Sequence, residues 1–207
     1  MRNIRNETKK NKLNMKKIIL SAIAMVLLAL PMSAQKIIID KTNQDGSRVI
    51  ATDSEYVRNG FSDKNPLGYS LGYIGIENHD FYYIDIAISS LVNFELPEGG
   101  LLLIKTPLGT VIEAKQTLKD YETDDLLGNT ISGVTTHTIR GSYEVTLEGL
   151  EKIASEGIKK IRIEKKASLI DTEYKDKNVK KTQEVFSSRL ELMKKTLSKS
   201  SDIREGF

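Results

Sequence analysis

Cysteine and tryptophan are absent from the 207 residues, histidine occurs only twice, and proline four times. The missing cysteine excludes disulfides, thiol catalysis, Cys-ligated zinc and lipid attachment to an N-terminal cysteine. The two histidines, His79 and His137, stand far apart, and neither lies in an H-x-x-x-H or H-E-x-x-H pattern. A histidine-based metal centre is therefore not expected. Long apolar runs are scarce as well, and only Ile18–Leu30 qualifies. With 39% hydrophobic and 29% charged residues the remainder has the composition of a soluble globular chain.

The apolar run fixes the expected compartment. Lys16-Lys17 precede it, Ser21 alone interrupts it and Pro31 ends any helix there. Thirteen residues are too few to cross hydrocarbon about 30 Å thick, which takes about 20. Residues 15–34 read instead as a signal peptide cut after Ala34, with Gln35 the mature start and only the bulk of Met32 departing from the pattern. Residues 1–14 form a polar extension, or Met15 is the true start. The expected location is outside the cytoplasm: periplasm, outer-membrane-associated or secreted.

Removing the leader reverses the charge. The whole chain carries +3, whereas residues 35–207 hold 24 Lys and Arg against 27 Asp and Glu, a net of −3. A nucleic-acid partner is thus not expected. Residues 35–151 carry nine cations and eighteen anions, and residues 152–207 fifteen and nine. An acidic body and a basic end can neutralise each other, or the end can meet an anionic partner.

Along the mature chain the period-2 signal dominates. Lys36–Lys41 and Ser47–Thr52 flank the turn Gln44-Asp45-Gly46 as a hairpin. Asp53–Gly68 reads as a loop with at most one short strand. Tyr69–Glu77 and Phe81–Val92 pair across Asn78-His79-Asp80, with Ile84, Ile86 and Ile88 on one face. Leu101–Lys105 and Thr110–Lys115 form a hairpin around Pro107-Leu108-Gly109, the first strand continuously apolar as if covered on both sides. Residues 118–133 make an acidic connection, and Thr136–Thr146 a long strand. Thr146 caps a helix over Leu147–Ser155 that Gly157 ends, and Ile158–Glu164 is the last expected strand. Ala167–Thr172 reads as a polar joint.

A C-terminal helix follows over 173–198, with 199–207 fraying. Val179, Phe186, Leu190, Met193 and Leu197 form its apolar seam, with lysines beside it. The expected fold is α+β and mainly antiparallel. We expect a two-layer β-sandwich-like domain of seven or eight strands over 35–166, with one inserted helix and the C-terminal amphipathic helix.

Few residues suggest chemistry. Gly68-Tyr69-Ser70-Leu71-Gly72 spells G-x-S-x-G, but a polar loop precedes Ser70 and a strand continues after it, the wrong setting for a nucleophile. Asp120, Glu122, Asp124 and Asp125 are a candidate calcium site, since clustered carboxylates suit a hard cation. Tyr69, Tyr73, Tyr82 and Tyr83 either pack across strands or stack on a ligand. No cofactor motif is present: Gly99-Gly100 lacks the later glycine and helix of a dinucleotide loop. The helix seam seeks the protein's own sheet, a second copy, another envelope protein or, through its lysines, an anionic membrane surface.

The runs L-L-L-I-K-T-P-L-G-T-V-I-E (101–113) and S-Y-E-V-T-L-E-G-L-E-K-I-A-S-E-G-I-K-K-I-R-I-E (142–164) resemble small, uncharacterised exported proteins of Bacteroidetes-type bacteria. The resemblance implies a β-rich exported domain and carries no activity and no functional residue. The sequence thus leads to a non-enzymatic cell-envelope protein that binds or scaffolds. The alternative is a hydrolase of an envelope or glycan substrate, working through carboxylates or Ser70.

Overall fold

The computed structural model describes residues 36–59, 65–77, 79–118 and 137–204, side chains at 118 and beyond 199 excepted. The signal segment, the acidic connection and the last three residues lie outside that set. Ten strands form one antiparallel sheet: β1 (Ile37–Thr42), β2 (Arg48–Thr52), β3 (Glu55–Val57), β4 (Leu67–Ile76), β5 (His79–Ser90), β6 (Leu101–Lys105), β7 (Val111–Leu118), β8 (His137–Val145), β9 (Lys160–Lys165) and β10 (Ser168–Glu173). Their order is β1-β2-β4-β5-β8-β7-β6-β9-β10, with β3 also on β4. Helix α1 spans Leu147–Glu156 and α2 spans Asp176–Arg204.

The α+β antiparallel class is therefore as expected, including the inserted and the C-terminal helix. The second layer differs: the two helices cover one face of a single sheet, where a second sheet was anticipated. The alternation explains why. Leu67, Tyr69 and Leu71 of β4, Ile84, Ile86 and Ile88 of β5, Leu102 and Ile104 of β6 and Ile161 and Ile163 of β9 all share one buried cluster. The same cluster holds Leu150 and Ile153 of α1 and Phe186, Leu190 and Met193 of α2. One face is thus covered by helices; the other carries a small apolar cluster of Val49, Ala51, Ile74 and Tyr83 on β2, β4 and β5 and mixed polar residues on β6, β7, β9 and β10. Leu96, from the connection between β5 and β6, plugs the same core and is fully buried.

Three local expectations are corrected. The β4–β5 turn is centred one residue early, since Glu77 takes φ 57° and His79 already pairs with Ile76. Leu101–Ile104 is covered on one face only: Leu102 and Ile104 are buried, Leu101 and Leu103 half-buried. The segment expected as a polar joint is β10, paired with β9 from Ser168↔Lys165 to Glu173↔Lys160 without a register shift.

The helix ends follow their residues. Thr146 Oγ1 accepts from Gly149 N at 3.1 Å, closing the start of α1. Gly157 ends it at φ 78°, and a Cβ there would lie 2.5 Å from the Val179 carbonyl oxygen. That missing side chain lets the end of α1 meet the first turns of α2, where Ile158 N also donates to Thr182 Oγ1 at 2.8 Å.

Candidate functional site

Strand β2 pairs with β4 as far as Ala51↔Gly72, and β3 resumes at Glu55↔Tyr69. Thr52, Asp53 and Ser54 thus face only Ser70 and Leu71, an extra residue that bulges the strand. Thr52 Oγ1 fills the gap in the ladder by accepting from Leu71 N at 2.9 Å. The bulge frees the Asp53 carbonyl, and Arg189 of α2 takes it: Nε donates to Asp53 O at 2.9 Å, while Nη2 lies 3.3 Å from Asp53 Oδ1 and Nη1 3.3 Å from Glu55 Oε2. The Arg189 side chain is 1% exposed. Lys181 Nζ adds a contact of 3.5 Å to Glu55 Oε1, and Arg48 Nη2 donates to Thr196 O at 3.0 Å. This constellation is structural. Its carboxylates hold the helix against the bulge. The sequence gives little warning of it, because an arginine in a lysine-rich helix looks solvent-facing; the one signal is its position, three residues from Phe186 and one from Leu190.

Ser70 lies in the middle of β4, 2% exposed and opposite Asp85 on β5. The strand runs straight through the motif, so the sharp turn that lifts a nucleophile is missing. His79 pairs with Ile76, six residues along β4, and His137 pairs with Ser90, five residues along β5 from Asp85. At ~3.3 Å per residue both imidazoles are roughly 16–20 Å away, far beyond proton-transfer reach. The glycines of the motif serve packing. A Cβ on Gly68 would meet Ser54 Oγ at 2.9 Å and the Tyr56 ring at 3.2 Å. Asp85 accepts a short hydrogen bond from Ser142 Oγ of β8.

The four tyrosines are packed and divided between the faces. Tyr69 is fully buried, its hydroxyl 2.7 Å from that of Tyr174 and its ring 5.5 Å from Phe186. Tyr73 donates to Asp80 Oδ1 at 2.6 Å and meets Tyr82 edge-on at 5.4 Å. Burial, then the bond to Asp80, pushes the Tyr73 hydroxyl pKa up, and burial does the same at Tyr82. Tyr83 is on the opposite face with Val49, Ala51 and Ile74. Burial, then Glu144 and Asp85, raises its pKa. The four rings therefore do not share one face of the sheet.

The helix seam is occupied too. Val179, Phe186, Leu190 and Met193 are buried in the main core and Leu197 packs against it. What α2 turns outward is a mixed face that includes Lys177, Lys180, Glu184, Glu191, Lys195 and Lys199. The calcium candidates Asp120, Glu122, Asp124 and Asp125 lie outside the described residues. Among the described residues no three His, Asp or Glu are grouped to hold a metal, and no helix is long and apolar enough to cross a membrane.

The outer face of β6, β7, β9 and β10 is turned to solvent. One row runs Glu113, Leu103, Arg162, Asp171, and the next Val111, Lys105, Lys160, Glu173. Arg162 grips Asp171 with two bonds of 2.7 Å, which, with desolvation opposing, hold the Asp171 carboxyl below its ordinary pKa. Val111 is 60% exposed, an apolar spot among alternating charges. A scan against family models, a search of curated proteins and a search of solved structures each found no match.

Proposed function

We propose that this chain is an exported cell-envelope protein that binds or scaffolds a partner without transforming it. The observation that carries the binding half is the outer face just described, where charges of both signs and exposed apolar groups spread over four strands. Such a surface suits recognition of a broad partner, since rim charges steer and orient encounters while apolar spots supply burial. The shifted titrating groups support the same reading: Asp45, held low by its Ser47 partner, Asp171 beside Arg162, and the buried tyrosines all have structural causes. The export half rests on Lys16-Lys17 followed by Ile18–Leu30.

Fractionation of the source cells tests the location. The protein is expected outside the cytoplasm with Gln35 as its first residue, and a cytosolic pool retaining residues 15–34 would refute export. Incubation with purified envelope glycans tests the chemistry, and release of new reducing ends would replace the binding reading with a hydrolase.

A further inference from the structure

We propose that the tip of the β6–β7 hairpin, Pro107-Leu108-Gly109 with Val111 beside it, docks on an anionic lipid surface, the lysines at the same end of the sheet meeting the headgroups. The proposal goes beyond the envelope reading and does not rest on it, because it needs only the folded domain.

The turn is built tightly. Gly109 N donates to Thr106 O at 3.1 Å, and Thr106 N donates to Thr110 O at 2.9 Å. Pro107 stands second in the turn, where its fixed φ fits, and Gly109 closes it at φ 90°. Nothing in that geometry calls for an apolar side chain at Leu108, between them, a place that small polar residues ordinarily fill. Yet Leu108 is 80% exposed, the most exposed large hydrophobic among the described residues, and Val111 follows at 60%. A Cβ on Gly109 would meet nothing within 4 Å, so the turn stands clear there of the described chain.

Charge selects what the tip meets. Lys105 leads into the turn and pairs across from Lys160, and Lys159 N donates to Lys105 O. Tyr174 N donates to Lys159 O at 2.8 Å, which brings Lys175 and Lys177 to the same end of the sheet. Lys105, Lys175 and Lys177 are exposed and make no ion pair among the described residues. Lys159 and Lys160 hold Asp176 and Asp171 loosely, at 3.5 and 3.9 Å, and Asp171 is already gripped by Arg162. Against these five lysines that end sets Glu156, Glu173 and Asp176. Each cation in excess strengthens binding to an anionic leaflet about fivefold. Two exposed apolar side chains are too few for the ~1,200 Å² of a stable protein partner, but apolar insertion and lysines together suffice for reversible binding to a bilayer. The other exposed apolar pair, Leu91 and Val92, lies at the opposite end of β6 without that second signal. Residues 81–104 hold no Lys or Arg, and the lysines that reach this loop, Lys165 and Lys166, are engaged by Phe94 and Glu95.

Co-sedimentation with vesicles at low salt tests this, comparing mixed phosphatidylglycerol–phosphatidylcholine bilayers with phosphatidylcholine alone. Binding is expected on the anionic bilayers only, and it should weaken as salt is raised. Leu108→Ser should reduce it at least ~10-fold with the melting temperature unchanged, and Lys105→Glu should do the same. The chain has no tryptophan, so Leu108→Trp installs a single reporter. Its emission should move to the blue on anionic vesicles, whereas that of Val92→Trp, at the opposite end, should stay in place. No co-sedimentation with anionic bilayers, equal binding to both bilayers, binding indifferent to Leu108→Ser and Lys105→Glu, or a shift at Val92→Trp in place of Leu108→Trp overturns the proposal.

Discussion

The two ends of the sheet solve the problem of being an end in opposite ways. At the β1–β4 end the strand is bulged, both faces are apolar and a helix is keyed into the irregularity through a buried arginine. At the β9–β10 end the ladder is regular, the outer face is charged and its main ion pair, Arg162–Asp171, is about 40% exposed on both sides. A local defect in pairing thus made room for a buried anchor, whereas the regular ladder carries its ion pair in the open. Irregular and fixed belong together here, as do regular and available.

The contrast can be broken most forcefully in the core. Phe186→Ala should cost about 3–5 kcal/mol in urea unfolding, while Leu169→Ala on β10 should stay within about 0.5 kcal/mol. Equal costs would mean that the two ends are not different in kind. Removing the two arginines comes next: Arg189→Ala should destabilise by about 3 kcal/mol, because it strips a buried charge from its partners, whereas Arg162→Ala, on the exposed face, should leave the urea midpoint nearly unchanged. A smaller loss, about 1–3 kcal/mol, is expected for Thr52→Val, which keeps the shape but leaves the Leu71 N–H facing a methyl group.

The smallest effects come from pH and differ in sign between the ends. Asp171 titrates lower folded than unfolded, so its contribution is present above the ordinary carboxylate pKa and fades as pH falls through the lowered value. Tyr73 and Tyr83 titrate higher folded than unfolded, so theirs is complete below about pH 10 and fades as pH rises beyond it. Asp171→Asn should flatten the acid limb of the stability curve by well under 1 kcal/mol, since the pair is solvent-exposed. Tyr83→Phe should flatten only the alkaline limb, and a variant that alters both limbs would show the ends to be coupled.

Much of the layout was legible because it is written in short-range pattern. Ile84, Ile86 and Ile88 announced β5 and its buried face, and Thr146 and Gly157 marked both ends of α1. β10 was hidden because its turn, Lys166-Ala167, contains no glycine, proline or asparagine, and its inward residues are only Ile170 and Thr172. The second sheet was expected because alternation reveals that a strand has a buried face but not what buries it. The helix seam was read correctly as apolar, yet its destination on β2–β4 depends on a bulge at Thr52–Ser54 that no periodicity encodes. The G-x-S-x-G match illustrates the converse: the spelling is complete, and the glycines are there to pass beneath Tyr56 and beside Asp85.

The bond from Arg189 to Asp53 joins residues 136 positions apart in sequence. Its consequence is temporal. Strands β2 to β4 are synthesised early but keep Ile50, Tyr69 and Leu71 bare until residues 179–197 arrive, so the nascent polypeptide cannot complete its core from the front. Closure of such distant segments is slow and leaves a long interval in which the chain is still pliable. The native core is therefore complete only once the C-terminal helix has docked.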